Sequence, residues 1–414
     1  MVDRGLSMTS NPRWVGVGDM VIGPEERKAI MEVLDSGHIS EGARTQEFER
    51  RWAEFVGTRY SVAVNSGTSA LIAALTALQH CKHDPLPRCS KVITTPLTYV
   101  ATSNALLLTG NEPTYVDVDE RRFCITPETI KRYLDEENDV EEHHLILPVH
   151  LMGYPADMDG INKLAEKHGM SVMEDSSQAH GSLLGKRRTG SMSRLSTFSF
   201  YIAHNIQAGE LGAIATDDLE IVKLIRQIKA NGRRCDCISC SRKRTGCIKL
   251  GKNAEDQRDP RFTHDMIGYN FKAMDFQSAL ALVQLDRVLD IIQKRQENVK
   301  YLNDGLSDLD GILRVPELDR NVSYLAYPMI LQDGAGISRD RFVIEMEKRK
   351  VEARPLFGSI PSQQPAYRSF KSRYEGKLPV ADKLGARGTY VGCHQYLTKE
   401  DLDWVIKTTH EVLK

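Results

Sequence analysis

From Tyr60 to Asp217 the chain alternates short β-branched apolar runs with longer stretches of helical spacing. YSVAV, KVITT, YVDVD, LILPVH, SVMED, STFSF and GAIAT read as strands, with TSALIAALTAL and VATSNALLL as helices between them. Near-continuous apolar strands, rather than strictly alternating ones, are buried on both faces. That predicts an α/β architecture with a mostly parallel sheet covered by helices. Upstream, Pro24 opens a helical pattern with Ile30, Val33 and Leu34 on one face and Gly37 beyond its end. Downstream, a helix rich in Gln277, Leu280, Leu282, Gln284 and Leu285 is followed by a long helical pattern that carries the chain out of the sheet near residue 290. The strand SYLAYPMIL, the helix RDRFVIEMEKRK, the segment VEARPLF and the closing helix KEDLDWVIKTTHEVL then build a smaller C-terminal α/β domain. The expected organisation is an N-terminal extension over 1–20, a large domain over 21–290 and a small domain over 291–414.

Composition changes this picture in two ways. The 55 lysines and arginines nearly balance 56 aspartates and glutamates, which removes the basic field that would draw nucleic acid or anionic lipid. No apolar run is long enough to span a bilayer, and MVDRGLSMTSNPRW lacks the apolar core of a secretory leader. The expectation is a cytoplasmic protein with neither membrane nor nucleic acid as partner. Eight cysteines in such a chain argue against a disulfide framework, and four of them crowd one segment as Cys235-x-Cys237-x2-Cys240-x6-Cys247. That clustering points to a metal held by a cysteine insert over 232–250.

Two strand ends carry candidate chemistry. Asn65-Ser66-Gly67-Thr68-Ser69 follows a strand and opens a helix, so its N–H groups and hydroxyls can hold a phosphate on the positive end of the helix dipole. A hydroxyl-capped helix with no ligand fits the same residues. Glu174-Asp175-Ser176-Ser177-Gln178 ends another strand with two acids and a polar turn, where open α/β sheets bind their ligands. A carboxylate there can pair with a protonated pyridine nitrogen and make the ring an electron sink, or it can merely cap a turn.

The residues resemble a known family, the sugar aminotransferases of the aspartate-aminotransferase fold that act on nucleotide-linked keto sugars. The resemblance runs from about residue 20 to the C-terminus. It rests on SGHISEGARTQEFERRWAEFVG, NSGTSALIAAL, TPLTYVATSNALL, HLMGYPADMDGI, EDSSQAHGSLLGKRRTGS, STFSFYIAHNIQAGELGAI and GYNFKAMDFQSALALVQL. It implies pyridoxal or pyridoxamine 5'-phosphate as cofactor. Asp175 would pair the pyridine nitrogen, Gln178 the ring hydroxyl, and Tyr99 would stack on the ring. Gly67, Thr68 and Ser199 would bind the phosphate. Asn270, of Gly268-Tyr269-Asn270, would reach the phosphate of a neighbouring subunit, which implies a homodimer.

One departure decides the chemistry. The family's cofactor-anchoring lysine stands five residues after the serine of its Ser-Phe motif, and that position is His204 here. Imidazole cannot hold the aldehyde covalently, but it titrates near neutrality and suits a general base at the cofactor's methylene carbon. The alternative is a decayed aminotransferase in which His204 fills space. A subset of the family resembles this chain in the same respect: keto-sugar 3-dehydratases that use pyridoxamine phosphate and a histidine to remove a hydroxyl. A smaller departure, Glu210-Leu211-Gly212 where Glu-Gly-Gly is usual, is expected to narrow the site.

The cysteine cluster can ligate zinc or an iron–sulfur cluster. One branch of the histidine-bearing dehydratases resembles this chain in carrying a cysteine-rich insert that holds a 2Fe–2S cluster, though one ligand of that branch falls at Ser177 here. Four local cysteines alone would also suit 4Fe–4S. Arg233, Arg234, Arg242, Lys243 and Arg244 around them could raise the cluster potential or dock an acidic electron donor, a reductase or ferredoxin; a solvated basic loop is the plain alternative. Three function classes follow. They are a reductive dehydratase of a keto-sugar or cyclitol, a non-reductive B6 lyase with structural zinc, and a catalytically silent interaction protein.

Overall fold

The computed structural model describes residues 13–136, 140–237, 242, 246–247 and 258–414. Strands β1 (Tyr60–Val64), β2 (Lys91–Thr94), β3 (Glu112–Tyr115), β4 (His143–Leu147) and β5 (Ser171–Asp175) are followed by a short hairpin, β6 (Leu183–Leu184) and β7 (Arg187–Arg188). Then come β8 (Leu195–Ser199) and β9 (Gly212–Thr216). The main sheet has seven strands in the order β1-β9-β8-β5-β4-β2-β3. It is parallel from β8 through β3, whereas β9 runs antiparallel to both β8 and β1. This reversal matters for the site: Gly212, the first residue of β9, lies opposite both Val64 and Ser199, the last residues of β1 and β8.

The helix Gly67–His80 is apolar all round and buries every residue from Ser69 to Leu78. A helix of this kind belongs inside a layer, and its N-terminus opens at the carboxyl ends of β1 and β8. The second sheet is antiparallel, in the order β10-β11-β13-β12, from β10 (Leu313–Arg314), β11 (Tyr327–Leu331), β12 (Ala353–Pro355) and β13 (Gly388–Val391). The helix Lys399–Leu413 closes the chain, capped by the Thr398 hydroxyl accepting from Asp401 N–H. No helix among the described residues is long and apolar enough to cross a membrane.

Two elements differ from the sequence pattern. The strand read over YVDVD lies earlier, as β3, because past Tyr115 only Val116 N–H still meets the neighbouring strand, at Thr94. Val116 and Val118 are buried, but the Asp117 carboxylate turns away to accept from the N–H groups of Val380 and Ala381. Burial without ladder bonds produces the same apolar pattern as a strand. Residues 13–18, inside the stretch expected as an extension, are tied down: Val15 exchanges backbone hydrogen bonds with Lys350 and Glu352, and Val15 and Val17 are buried.

Candidate active site

The carboxyl ends of β1, β5 and β8 converge on one crevice. At its floor the Ser66 hydroxyl caps the helix Gly67–His80, accepting from Ser69 N–H at 3.1 Å. A Cβ on Gly67 would lie 2.5 Å from Ser199 Cβ, and one on Gly212 would lie 2.1 Å from the Ser66 carbonyl oxygen. Only glycine lets these backbones close around the helix N-terminus. Gly67, half-buried Thr68 and half-buried Ser199 therefore share one cradle of N–H groups and hydroxyls, which suits a phosphate.

The two acids at the end of β5 face opposite sides. Glu174 is fully buried and accepts from His150 Nε2 (2.9 Å), Gly190 N–H (2.7 Å), Met192 N–H (2.8 Å) and the Ser193 hydroxyl (2.9 Å). Burial alone would raise its pKa, but His150 and the two backbone donors hold it below the usual carboxylate value. Asp175 accepts from the Thr102 hydroxyl (2.8 Å) and Ser177 N–H (3.2 Å), is 4% exposed, and has no ion-pair partner among the described residues. A buried carboxylate without a cation fits a protonated pyridine nitrogen. The Gln178 carbonyl accepts from Met152 N–H at 3.0 Å, leaving its NH2 as a donor. Tyr99, expected to cover the ring, stands 59% exposed on the turn that leads into Thr102, and its ring meets Phe357 edge-on at 6.3 Å. These residues fit the B6 phosphate that the sequence implies.

His204 lies on the turn after β8. Its Nδ1 donates to the Ser199 carbonyl at 2.7 Å, which fixes the proton on Nδ1 and leaves the Nε2 lone pair available. Burial, followed by the Arg295 guanidinium, lowers its pKa to about 4 against the opposing pull of the Ser199 carbonyl. The imidazole is neutral at physiological pH. Of the buried histidines, His150 has both nitrogens engaged, by Glu174 and by Ala156 N–H. His180 packs 6.0 Å from the His204 ring among Trp52, Phe198 and Phe200.

Other expectations meet the structure less directly. Asn270 is exposed, and its backbone bridges to Ala230 beside Phe271, whose carbonyl accepts from Asn65 N–H. Leu211, just before β9, is fully buried in an apolar cluster with Phe48, Phe198 and Phe200, so its side chain fills core and not the crevice. Cys235, Cys237 and Cys247 are half-buried, while Cys240, Lys243 and Arg244 lie outside the described residues. Among the described residues no three His, Cys, Asp or Glu side chains are placed to hold a metal. Arg234 is not a spare cation for a partner, since it pairs with Asp265 at 2.7 Å. Thr102 and Arg295 escaped the sequence reading. Each acts on a residue far along the chain, with no local motif to mark it.

The chain is 31% identical over 402 residues to the dTDP-4-dehydro-2,6-dideoxy-D-glucose 3-dehydratase of Saccharopolyspora spinosa, with 94% of this chain and 85% of that protein covered. It is 30% identical over 400 residues to the lipopolysaccharide biosynthesis protein RfbH of Salmonella typhimurium, covering 94% and 90%. Among solved structures, a GDP-4-keto-6-deoxymannose-3-dehydratase superposes with a TM-score of 0.81 at 25% identity, over 97% of this chain and 100% of that one. The family model of the DegT/DnrJ/EryC1/StrS aminotransferases matches residues 20–410, so the chain belongs to that family and is a PLP-dependent enzyme of the sugar aminotransferase/dehydratase kind.

Proposed function

We propose that this protein is a pyridoxamine-phosphate-dependent dehydratase that removes the C3 hydroxyl beside the keto group of a nucleotide-linked sugar or related cyclitol. The observation that carries the reading is His204 in the lysine's place, with Nδ1–H committed to Ser199 and Nε2 left as a base. Relatives named as 3-dehydratases support it. When bound, the cofactor supplies an amine for the keto group and an electron-withdrawing ring. The chain's residues do the rest. Asp175 keeps the pyridine nitrogen protonated, Gln178 donates to the ring hydroxyl, and Tyr99 covers the ring. Gly67, Thr68 and Ser199 hold the phosphate, joined by Asn270 of a partner subunit in a homodimer. His204 Nε2 takes the proton from the methylene carbon as the hydroxyl departs.

The reductive form of the reaction extends this reading. Two electrons and two protons added after loss of water give net C3 deoxygenation, and the electrons would come from a reductase or ferredoxin. Cys235, Cys237, Cys240 and Cys247 are spaced to ligate either zinc or an iron–sulfur cluster, and the resemblance to the dehydratase branch with a cysteine-rich insert favours the cluster as the relay. Anaerobic purification with iron, sulfide and B6 measured together tests both parts. The expected result is iron with sulfide, plus B6 that borohydride does not fix to the chain. Zinc without sulfide would favour the non-reductive lyase. A borohydride-stable adduct on any lysine would remove the case for a dehydratase, and failure to bind pyridoxamine phosphate would favour a silent interaction protein.

A further inference from the structure

Three cationic side chains are buried among the described residues, and they are not alike. Arg226 pairs with Glu49 at 2.6 Å, and Lys229 pairs with Glu41 at 2.8 Å. Arg295, fully buried on the helix Val288–Leu306, meets no carboxylate. Its Nη1 donates to the carbonyls of Leu325 (2.7 Å) and Tyr324 (3.2 Å), and its Nη2 donates to the carbonyl of His204 (3.2 Å). The Asn205 amide donates to the Ser323 carbonyl at 2.8 Å, stitching the same two segments together. Tyr324 takes the unusual φ of 45°, a left-handed turn that needs such support.

An unpaired buried cation is costly, and an apolar side chain of similar length would fill the volume at less cost. Carbonyl satisfaction alone would be met by a neutral amide. What the guanidinium adds is a full charge directly behind the turn that carries the base. We infer that Arg295 is a positioning residue for His204: its guanidinium ties the histidine's backbone to the Ser323–Leu325 turn and stands as an unneutralised cation behind the imidazole. This rests on the reading of His204 as the base.

The groups facing His204 are Arg295 from its helix, His180 from the turn after β5, and Tyr201 from its own turn, with ring centroids at 6.0 Å for His180 and 6.1 Å for Tyr201. Behind Arg295 lie the Cys393 thiol, pushed up to about 11 chiefly by burial, the Tyr396 phenol and His394. None of these supplies a negative charge at neutral pH. Burial is the main reason the imidazole stays unprotonated; Arg295 adds to it, disfavouring the imidazolium and readying it to release its proton afterwards.

The test is a histidine NMR titration of the full chain, with His204 identified by the signal lost in His204→Asn. Wild-type His204 is expected to stay neutral, with the proton on Nδ1, down to about pH 5, in keeping with a midpoint of about 4. In Arg295→Gln the midpoint should rise by about one pH unit or more, as loss of a nearby like charge requires. Arg295→Lys keeps the charge but not the fork, so the midpoint should stay low while kcat falls about 10-fold or more with KM little changed, the mark of lost positioning. An unmoved midpoint in Arg295→Gln overturns the inference, as does full activity in Arg295→Lys. Should neither variant fold, a wild-type His204 that titrates at the usual 6.5 with its proton on Nε2 overturns it directly. The shifts appearing as expected in a protein whose His204→Asn variant is fully active would sink the base assignment instead and leave the Arg295 effect standing.

Discussion

The two acids that end β5 meet opposite conditions, and so do two histidines, His150 beside Glu174 and His204 on the turn after β8. On one face Glu174 takes four hydrogen bonds from within the chain, and its partner His150 has both ring nitrogens engaged. On the other, Asp175 takes two hydrogen bonds and no cation among the described residues, and on the turn after β8 His204 has one nitrogen engaged. The first face is complete without a ligand and fastens β5 to the turn at Gly190–Ser193. The second has unused valence aimed at a crevice, and burying such groups is tolerable only if something arrives to meet them. Residue type does not separate architecture from site here. Unspent hydrogen-bonding capacity does, and it removes His150 from the candidates for the base.

The contrast is tested most severely at the open face. His204→Asn should cut dehydration by ~10²–10⁴-fold, the range for a positioned acid–base group, with pyridoxamine phosphate affinity nearly unchanged. Single-turnover kinetics and a cofactor titration read the two effects separately; a wild-type rate would pass the role to His180 or His394. The closed face should fail differently. Glu174→Gln breaks a buried pair and should lose about 3–5 kcal/mol in denaturant unfolding, while the fraction that folds binds cofactor normally. Unchanged stability would dissolve the distinction between the faces.

Asp175→Asn should weaken pyridoxamine phosphate binding by about 10–100-fold, because a charge-assisted hydrogen bond contributes about 1.5–3 kcal/mol. Since Asp175 has no protein cation to lose, the melting temperature without cofactor should not fall; a marked drop would make it a structural acid like Glu174. The smallest expected effect is in pH dependence. Burial holds His180, His204 and His394 below the usual histidine value of 6.5, His204 and His394 at about 4. As pH drops from 6.5 towards 4, the unfolded chain binds protons that the folded chain refuses, so stability falls across that window. His204→Asn should make that slope shallower. Glu174 lies below its usual 4.5, so its stabilisation is present above 4.5 and lost as pH falls through the lowered value. Glu174→Gln should therefore flatten only the most acid part of the melting curve, and an effect reaching up to pH 6.5 would contradict this assignment.

Much of the fold is legible because its signals are local. β1, β5 and β9 occupy the runs YSVAV, SVMED and GAIAT, and the helix at Pro24 ends before Gly37, whose φ is 64°. Short elements held by distant partners are not legible. β13 and the helix Pro379–Arg387 carry no clear period, and that helix begins where Asp117, 263 and 264 residues away, accepts its first N–H groups. Leu211 shows the same limit at the site: as a motif departure it suggests a narrower crevice, but the side chain points into the core.

By itself the sequence determined the alternation that makes a parallel α/β sheet, the ordered motifs of the family, and the exchange of a lysine for His204. Each is a pattern of neighbours along the chain, where side-chain period and turn chemistry act within a few residues. Only the tertiary structure decided which of two adjacent acids is open to a ligand, which ring nitrogen of His204 is free, and that an unpaired cation stands behind it. Those properties come from contacts such as Thr102 with Asp175, 73 residues apart, and Arg295 with His204, 91 apart. A hydrogen bond is set by distance in space, and folding, not residue order, brings those pairs within reach.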